Sequence, residues 1–382
     1  MSLRATRLST ALVSLPTLLV LSLAACDRSG PATGPAPGGD VSPGPHTAAT
    51  TVPSGGSIQA ALDAAAPGDR IVVEPGVYRE ALRIDKPGIR LVGATGPGGP
   101  NGDAVVLENP GEEEDGITVT SDGVEIRNLT VRGFEENGIL LTGVDGFRLV
   151  DIVAEDDGEY GLFPVHSRHG TILRCTASGH TDTGIYIGQS EDVRILDSEA
   201  FGNVNGFEIE NASHIVARAN RSHGNTAGFL VVLLPGLDVK TASDIVLSGN
   251  TVTANNHPNF ADPEEIEAAV PAGSGILVVG TDATTVEGNH VTGHDFVGVG
   301  VASTAVLATL AGVPPAAIDV EPDPDGVRIR GNTVTGNGAN APPGFPFPGV
   351  DLLWDGSGTD DCWIGNHYGT SFPPRLPRCG ES

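Results

Sequence analysis

From residue 116 onward the chain carries short apolar runs, each opened by a glycine and several alternating with period two. Ile139-Leu140-Leu141, Ile185-Tyr186-Ile187 and Phe207-Glu208-Ile209 are examples. Helical repeats need amphipathic stretches of about ten residues or more, so these runs predict strands. The opening glycines are Gly116, Gly138, Gly161, Gly184, Gly206, Gly228, Gly275, Gly298 and Gly349, spaced 22, 23, 23, 22, 22, 47, 23 and 51 apart. A sustained period in this range is the mark of a solenoid. The two long intervals predict doubled or extended rungs with inserted loops, about Asn255–Ala272 and Ser303–Pro324.

Two further series keep the register. One runs Asn128, Asp151, Cys175, Ser198, Asn220, Asn250, Asn289, Asn332. The other, five residues later in each rung, runs Gly133, Asp156, His180, Asn203, Asn225, Asn255, His294, Asn337. Equivalent positions of a parallel solenoid stack about 4.8 Å apart, so amides at a bend can hydrogen-bond along the axis. These ladders are read as structural. Before them, Ser57–Ala65 predicts a short helix capped at Ser57 or Gly56, stopped by Pro67-Gly68-Asp69 and followed by Arg70–Tyr78 as strand and turn. Such a helix would cover the open core at the solenoid's end. This helix–PGD–IVV–PGVY passage resembles the N-terminal cap of the pectate-lyase-like right-handed β-helix superfamily. The resemblance covers roughly residues 52–370. It implies an all-β fold: a right-handed parallel β-helix of about ten or eleven coils with an N-terminal capping helix. It leaves activity open, because that superfamily hosts lyases, hydrolases, epimerases, adhesins and non-catalytic proteins.

Composition adds the surroundings. Glycine is abundant (53 of 382) and aromatics are 4%, as suits short strands and tight turns. Acidic residues outnumber basic ones 48 to 21, a formal charge of −27 that excludes nucleic acid as a partner. Arg4 and Arg7 precede an apolar run, Ala11–Leu23, ending in Ala24-Ala25-Cys26. That arrangement predicts a secretory signal over 1–25. Leu23-Ala24-Ala25-Cys26 resembles the bacterial lipobox, which implies diacylation of Cys26 and attachment to a membrane through that lipid. No other stretch is apolar enough to span a bilayer. Residues 26–51 read as a flexible Pro/Gly/Ser/Thr tether, and 52–382 as the β-helix with a C-terminal tail. In that tail Cys362 and Cys379 could pair in an oxidising compartment, whereas Cys175 should pack as a small apolar residue.

Chemistry concentrates between 159 and 211. Residues two after each glycine form an outward column, Leu140, Phe163, Tyr186, Glu208, Leu230; the next column is Thr142, Val165, Gly188, Glu210, Val232. With the inserted loops as walls, the middle rungs should expose a groove suited to an extended polymer. Tyr160, His166 and Asp182 could supply an acid and a base for proton abstraction beside a sugar carboxylate, and Arg168 could neutralise that carboxylate. Phe163, Tyr186, Gln189, Glu208, Glu210 and Asn211 would hold the polymer. No cofactor is required, but Glu208, Glu210 and Asn211 with Asp182 could bind Ca²⁺ through hard oxygens. Tyr160, His166 and His180 read equally well as turn residues bonded to neighbouring rungs.

Tyr160–Ser167 resembles the Tyr-Gly-x-Asp-Pro-His segment of alginate C5-epimerases, although that family's Asp falls at Phe163 and its His at Val165, with His166 displaced by one. The chain also resembles a group of bacterial parallel β-helix repeat proteins. They carry a GIY[IV]GQS rung, a GxEIEN rung and an HxPNF insertion, here Gly184–Ser190, Gly206–Asn211 and a shortened His257–Phe260. Three functions follow as expectations. The first is an envelope-anchored protein that binds, and as lyase or epimerase modifies, an acidic or neutral polysaccharide. The second is a non-catalytic binding or scaffold module. The third, ranked last for want of Met- or His-rich tracts, is a maturation role like that of the periplasmic β-helix accessory proteins of copper enzymes.

Overall fold

The computed structural model describes residues 49–95, 105–263 and 266–380. The signal segment, Cys26 and the tether up to residue 48 lie outside the described residues.

The glycine-led strands stack in parallel into one eleven-stranded sheet, from Leu82–Ile84 to Ser371–Phe372. The remaining strands form a second, 21-stranded sheet that wraps the other sides of the same core, giving a right-handed parallel β-helix. The inward residues of the glycine-led sheet stack in register: Leu162 lies beside Ile139 and Ile185, and Phe207 beside Ile185 and Phe229. The Phe207 and Phe229 rings are 4.5 Å apart and nearly parallel. All five of these side chains are fully buried, each contributing about 1.5–3 kcal/mol on leaving water.

Glycine opens each strand because the chain crowds there. A Cβ on Gly161 would stand 2.6 Å from the Gly184 carbonyl oxygen and 2.8 Å from the His180 ring. One expected member of the column is wrong. Val299 pairs with Leu352, so Asp351 rather than Gly349 lies beside Gly298.

The second ladder is continuous as a chain of hydrogen bonds. The side-chain oxygens of Asn203, Asn225, Asn255 and Asn337 accept from the backbone N–H of His180, Asn203, Asn225 and His294 in the preceding rungs. Asp351 ends the series by accepting from both nitrogens of Asn337. At its N-terminal end the register passes through Asp157, not Asp156, since Asp157 accepts from Phe134 N–H. The first ladder likewise begins later than expected. Ser198 accepts from the Cys175 N–H, and register places Ile152, not Asp151, beneath Cys175.

The helix at the N-terminal end spans Ile58–Ala64 and turns Ile58 and Leu62 into the core. Ser57 caps it by accepting from Ala60 N–H, and Glu80 accepts from the Ile58 and Gln59 N–H groups. The solenoid starts before residue 52, because Ala49–Val52 already pairs with Arg70–Val73. At the other end Cys362 and Cys379 are joined by a disulfide. Cys362 belongs to a strand paired with Arg328–Arg330, so this tail is part of the last rung rather than an appendage. No helix among the described residues is long and apolar enough to cross a membrane.

Candidate functional site

The outer face of the glycine-led sheet changes character along the solenoid. Thr118, Leu140 and Phe163 are half-buried and Thr142 is exposed, so the early rungs present an open face. From the next rung on the same columns are covered: Tyr186, Glu208 and Glu210 are only 5%, 1% and 7% exposed. The expected exposure of the acidic rungs is therefore corrected; their side chains point outward but under a roof. Leu234, Val270 and Leu307 pack on Leu230 and Val232 and hold that roof in place. It consists of residues 233–242, the insertion ending in the 3-10 turn Ile266–Ala269, and the helix Thr304–Leu310.

At the edge of the roof the chain assembles an aromatic and acidic cluster. Tyr160 and Phe163 stack with centroids 4.2 Å apart, and Tyr186 closes on both at 5.2 and 4.7 Å. Register places Thr183, not Asp182, beside Tyr160, yet the Asp182 carboxylate reaches the Tyr160 hydroxyl. Burial, reinforced by the charges of Asp182 and Glu208, drives that hydroxyl's pKa far above the ordinary tyrosine range, so Tyr160 stays protonated.

The Thr183 hydroxyl lies 2.8 Å from an Asp182 oxygen and 2.6 Å from Glu208 Oε2, which also accepts from the Asn205 amide. Glu208 Oε1 is buried without a hydrogen-bond partner among the described residues. Glu210 accepts from the Tyr186 hydroxyl at 2.9 Å and the Gln189 amide at 2.8 Å. Burial and the neighbouring carboxylates hold Glu208 well above its ordinary pKa, and burial pushes Glu210 up to about 7. The inserted turn lowers Glu267 onto the pair, bringing carboxylate oxygens of Glu208, Glu210 and Glu267 within 4.8 Å of one another.

The structure brings together Tyr160, Phe163, Asp182, Tyr186, Gln189, Glu208 and Glu210. It does not bring His166, Arg168 or Asn211 with them. His166 sits at a corner with φ +50° and points to Asp238, 3.8 Å away. Arg168 is largely exposed and paired with Asp145 at 3.0 Å. Asn211 clamps the roof instead: its amide donates to the Leu234 and Val239 carbonyls and its oxygen accepts from Leu234 N–H. His180 is fully buried in the amide ladder, with Nδ1 2.8 Å from Asn203. Of the expected acid–base set Tyr160 and Asp182 are thus in the cluster, whereas His166 and the carboxylate-neutralising Arg168 are not. Sequence reasoning missed Thr183, Asn205 and Glu267. The first two follow from strand register, but Glu267 lies in an insertion with no period.

Comparison with known proteins bears on the architecture. The A-modules of two mannuronan C-5 epimerases of Azotobacter vinelandii, AlgE4 and AlgE6, share the fold at 19% identity and a TM-score of 0.58. The alignments cover 81% of this chain and 90% of the AlgE4 module, and 83% and 95% for AlgE6. At that identity the likeness establishes the fold alone. No curated protein matches the chain. Residues 115–312, which hold the whole cluster, match the family model described as periplasmic copper-binding protein (NosD).

Proposed function

From a chain that belongs to the NosD family, matched over just over half its length, we propose a non-catalytic, exported binding protein that seats an extended glycan on the open outer face. The observation that carries this reading is the half-buried Tyr160–Phe163 stack at the step between open and roofed rungs. A flat aromatic pair on a strand face offers a rigid apolar platform at low entropic cost, and the roof edge beside it limits how a chain can lie. The non-catalytic reading is favoured over proton abstraction of the lyase or epimerase kind because His166 and the carboxylate-neutralising Arg168 face away from Tyr160 and Asp182. Burial, reinforced by the charges of Glu114, Asp115 and Glu135, holds the flanking Glu136 carboxyl above its ordinary pKa, and this acidic patch would repel a uronate chain, which favours a neutral glycan.

The family description names copper, and the residues do not fit it. Copper(I) favours thiolate and thioether sulfur, and copper(II) favours imidazole nitrogen. The chain's one methionine is Met1, Cys362 and Cys379 are joined to each other, and burial pushes the Cys175 thiol up to about 12. Among the described residues, the groups able to surround a metal are Glu191–Asp192–His214 and Glu208–Glu210–Glu267, which hold a single histidine between them. The proposed binding role accordingly involves no copper.

Binding of a panel of neutral and uronate polysaccharides, followed by affinity electrophoresis, tests the glycan reading. Tyr160→Ala and Phe163→Ala should each weaken binding about tenfold, the loss of about 1.4 kcal/mol of stacking and burial, while Glu191→Gln should leave it unchanged. No binding across the panel, or binding indifferent to both aromatic changes, overturns it; release of unsaturated sugars overturns the non-catalytic part. Export and anchoring are supported by the signal segment and the lipobox at Cys26. Metabolic labelling with a fatty-acid analogue should mark the protein and should fail in Cys26→Ala; labelling that persists removes Cys26 as the anchor.

A further inference from the structure

We propose that Glu208, Glu210 and Glu267 form a site for a hard divalent cation of the Ca²⁺ type, which ties the inserted turn Ile266–Ala269 to the outer face of the β-helix. The proposal is independent of the glycan reading.

The geometry comes from two elements. Glu208 and Glu210 are successive outward positions of the strand Asn205–Glu210, so period-two alternation places both carboxylates on one side. Glu267 descends from the roof above them. Oxygens bound to Ca²⁺ lie about 2.3–2.6 Å from the ion. Ligands on opposite sides of such an ion are therefore about twice that apart, and the three carboxylates, with oxygens within 4.8 Å of one another, fall inside that reach.

The second observation concerns lone pairs. Glu208 is 1% exposed, its Oε2 takes both of the residue's hydrogen bonds, and its Oε1 is buried with no partner. Asn205, fully buried and bonded to the same glutamate, also leaves its side-chain oxygen without a partner. A buried acceptor left unmatched costs free energy unless something fills it. Among the described residues, every hydrogen bond that Glu208 and Glu210 accept through their side chains comes from an uncharged group: Thr183, Asn205, Tyr186 or Gln189. A cluster of carboxylates in a low-dielectric site needs positive charge from protons or from an ion. An all-oxygen set selects calcium-like ions over copper. The other acidic group, Glu191–Asp192–His214, is exposed and solvated, and lacks this second observation.

Full-length protein stripped with chelator and titrated with Tb³⁺ reads the site directly, because the Tyr186 hydroxyl 2.9 Å from Glu210 would sensitise the lanthanide. One Tb³⁺ per chain, displaced by Ca²⁺, is the expected result. Glu208→Gln and Glu267→Gln should each weaken Ca²⁺ at least tenfold; Glu267 lies in the insertion, outside the solenoid core, so that variant keeps the fold if Glu208→Gln does not. Glu191→Gln should change nothing. Ca²⁺ affinity that survives both glutamate changes, a signal that follows Glu191→Gln, or a site that takes Cu⁺ in preference to Ca²⁺ overturns the proposal.

Discussion

Asn225→Ala is expected to lower the stability of the β-helix by about 3–5 kcal/mol, since each buried polar group left unsatisfied costs about 1–3 kcal/mol. Asn225 is fully buried. Its oxygen accepts from the Asn203 backbone N–H at 2.9 Å and the Asn203 amide at 3.0 Å. Its own amide nitrogen lies within hydrogen-bond distance of the Ala200 carbonyl, the Ser222 hydroxyl and the Asn255 oxygen. Truncation strands groups in the rungs on both sides. Urea denaturation measures the loss, and native-state hydrogen exchange should show the Asn203 N–H losing protection first, as nearest-neighbour coupling in a solenoid requires. Asn340→Ala, at an exposed bond to Asp295, is the control and should cost far less. A loss below about 1 kcal/mol at Asn225, within the range of an ordinary solvated hydrogen bond, would mean the ladder is ornamental.

The fold was legible because its signals are forced by contact. Where a Cβ would meet the next rung's carbonyl, only glycine serves, so Gly161, Gly184 and Gly206 mark the strand starts without ambiguity. The amide ladder is forced in the same way, by buried N–H groups that need an acceptor. Misreading began where another residue filled the same role. Asp351 occupies the glycine column's last place because the solenoid ends there, and its carboxylate is used to accept from Asn337, Gly369 and Thr370. Gly349, two residues earlier, only imitated the spacing. The roof segment 233–242 escaped notice although its trace was present: Asn220 and Asn250 are bonded neighbours in the ladder, yet stand 30 residues apart where a plain rung takes 22 or 23.

The site was half legible for a related reason. Alternation along a strand fixes which side chains face out, and it placed Phe163, Tyr186, Glu208 and Glu210 on one face. It says nothing about what lies above that face, so a roofed and buried cluster was read as an open groove. Corners are harder still. His166, Gln189 and Asn211 occupy equivalent positions after their strands, with φ of +50°, +46° and +45°. Yet Gln189 turns to Glu210, His166 to Asp238 and Asn211 to the roof backbone. Left-handed backbone releases a side chain from the strand's two-sided choice, and local partners then decide its direction. Glu267, arriving from an aperiodic insertion, had no register from which to be read.

Acid should weaken the fold through His294, and His294→Asn should remove that part of the sensitivity. His294 sits in the amide ladder between Asn255 and Asn337, 1% exposed, with Nδ1 2.9 Å from the Asn337 oxygen and Nε2 3.1 Å from the Asn255 amide nitrogen. The neutral ring meets both demands: Nδ1–H donates forward and Nε2 accepts from behind. Protonation would set an N–H against an N–H, and burial already pushes the pKa down to about 4 from 6.5. Because the folded pKa lies below the unfolded one, the unfolded chain takes up the proton first. The stabilisation is whole above about pH 6.5, is lost as pH falls towards 4, and is gone below it. A depression of this size is worth about 3 kcal/mol. Asparagine already fills the equivalent rungs at 203, 225, 255 and 337 and supplies an oxygen and an amide at the same corner without titrating. The difference in unfolding free energy between His294→Asn and the parent should therefore shift in the variant's favour by about that amount between pH 7 and pH 4. A pH-independent difference would show that the buried ring is protonated as readily in the fold as in the unfolded chain.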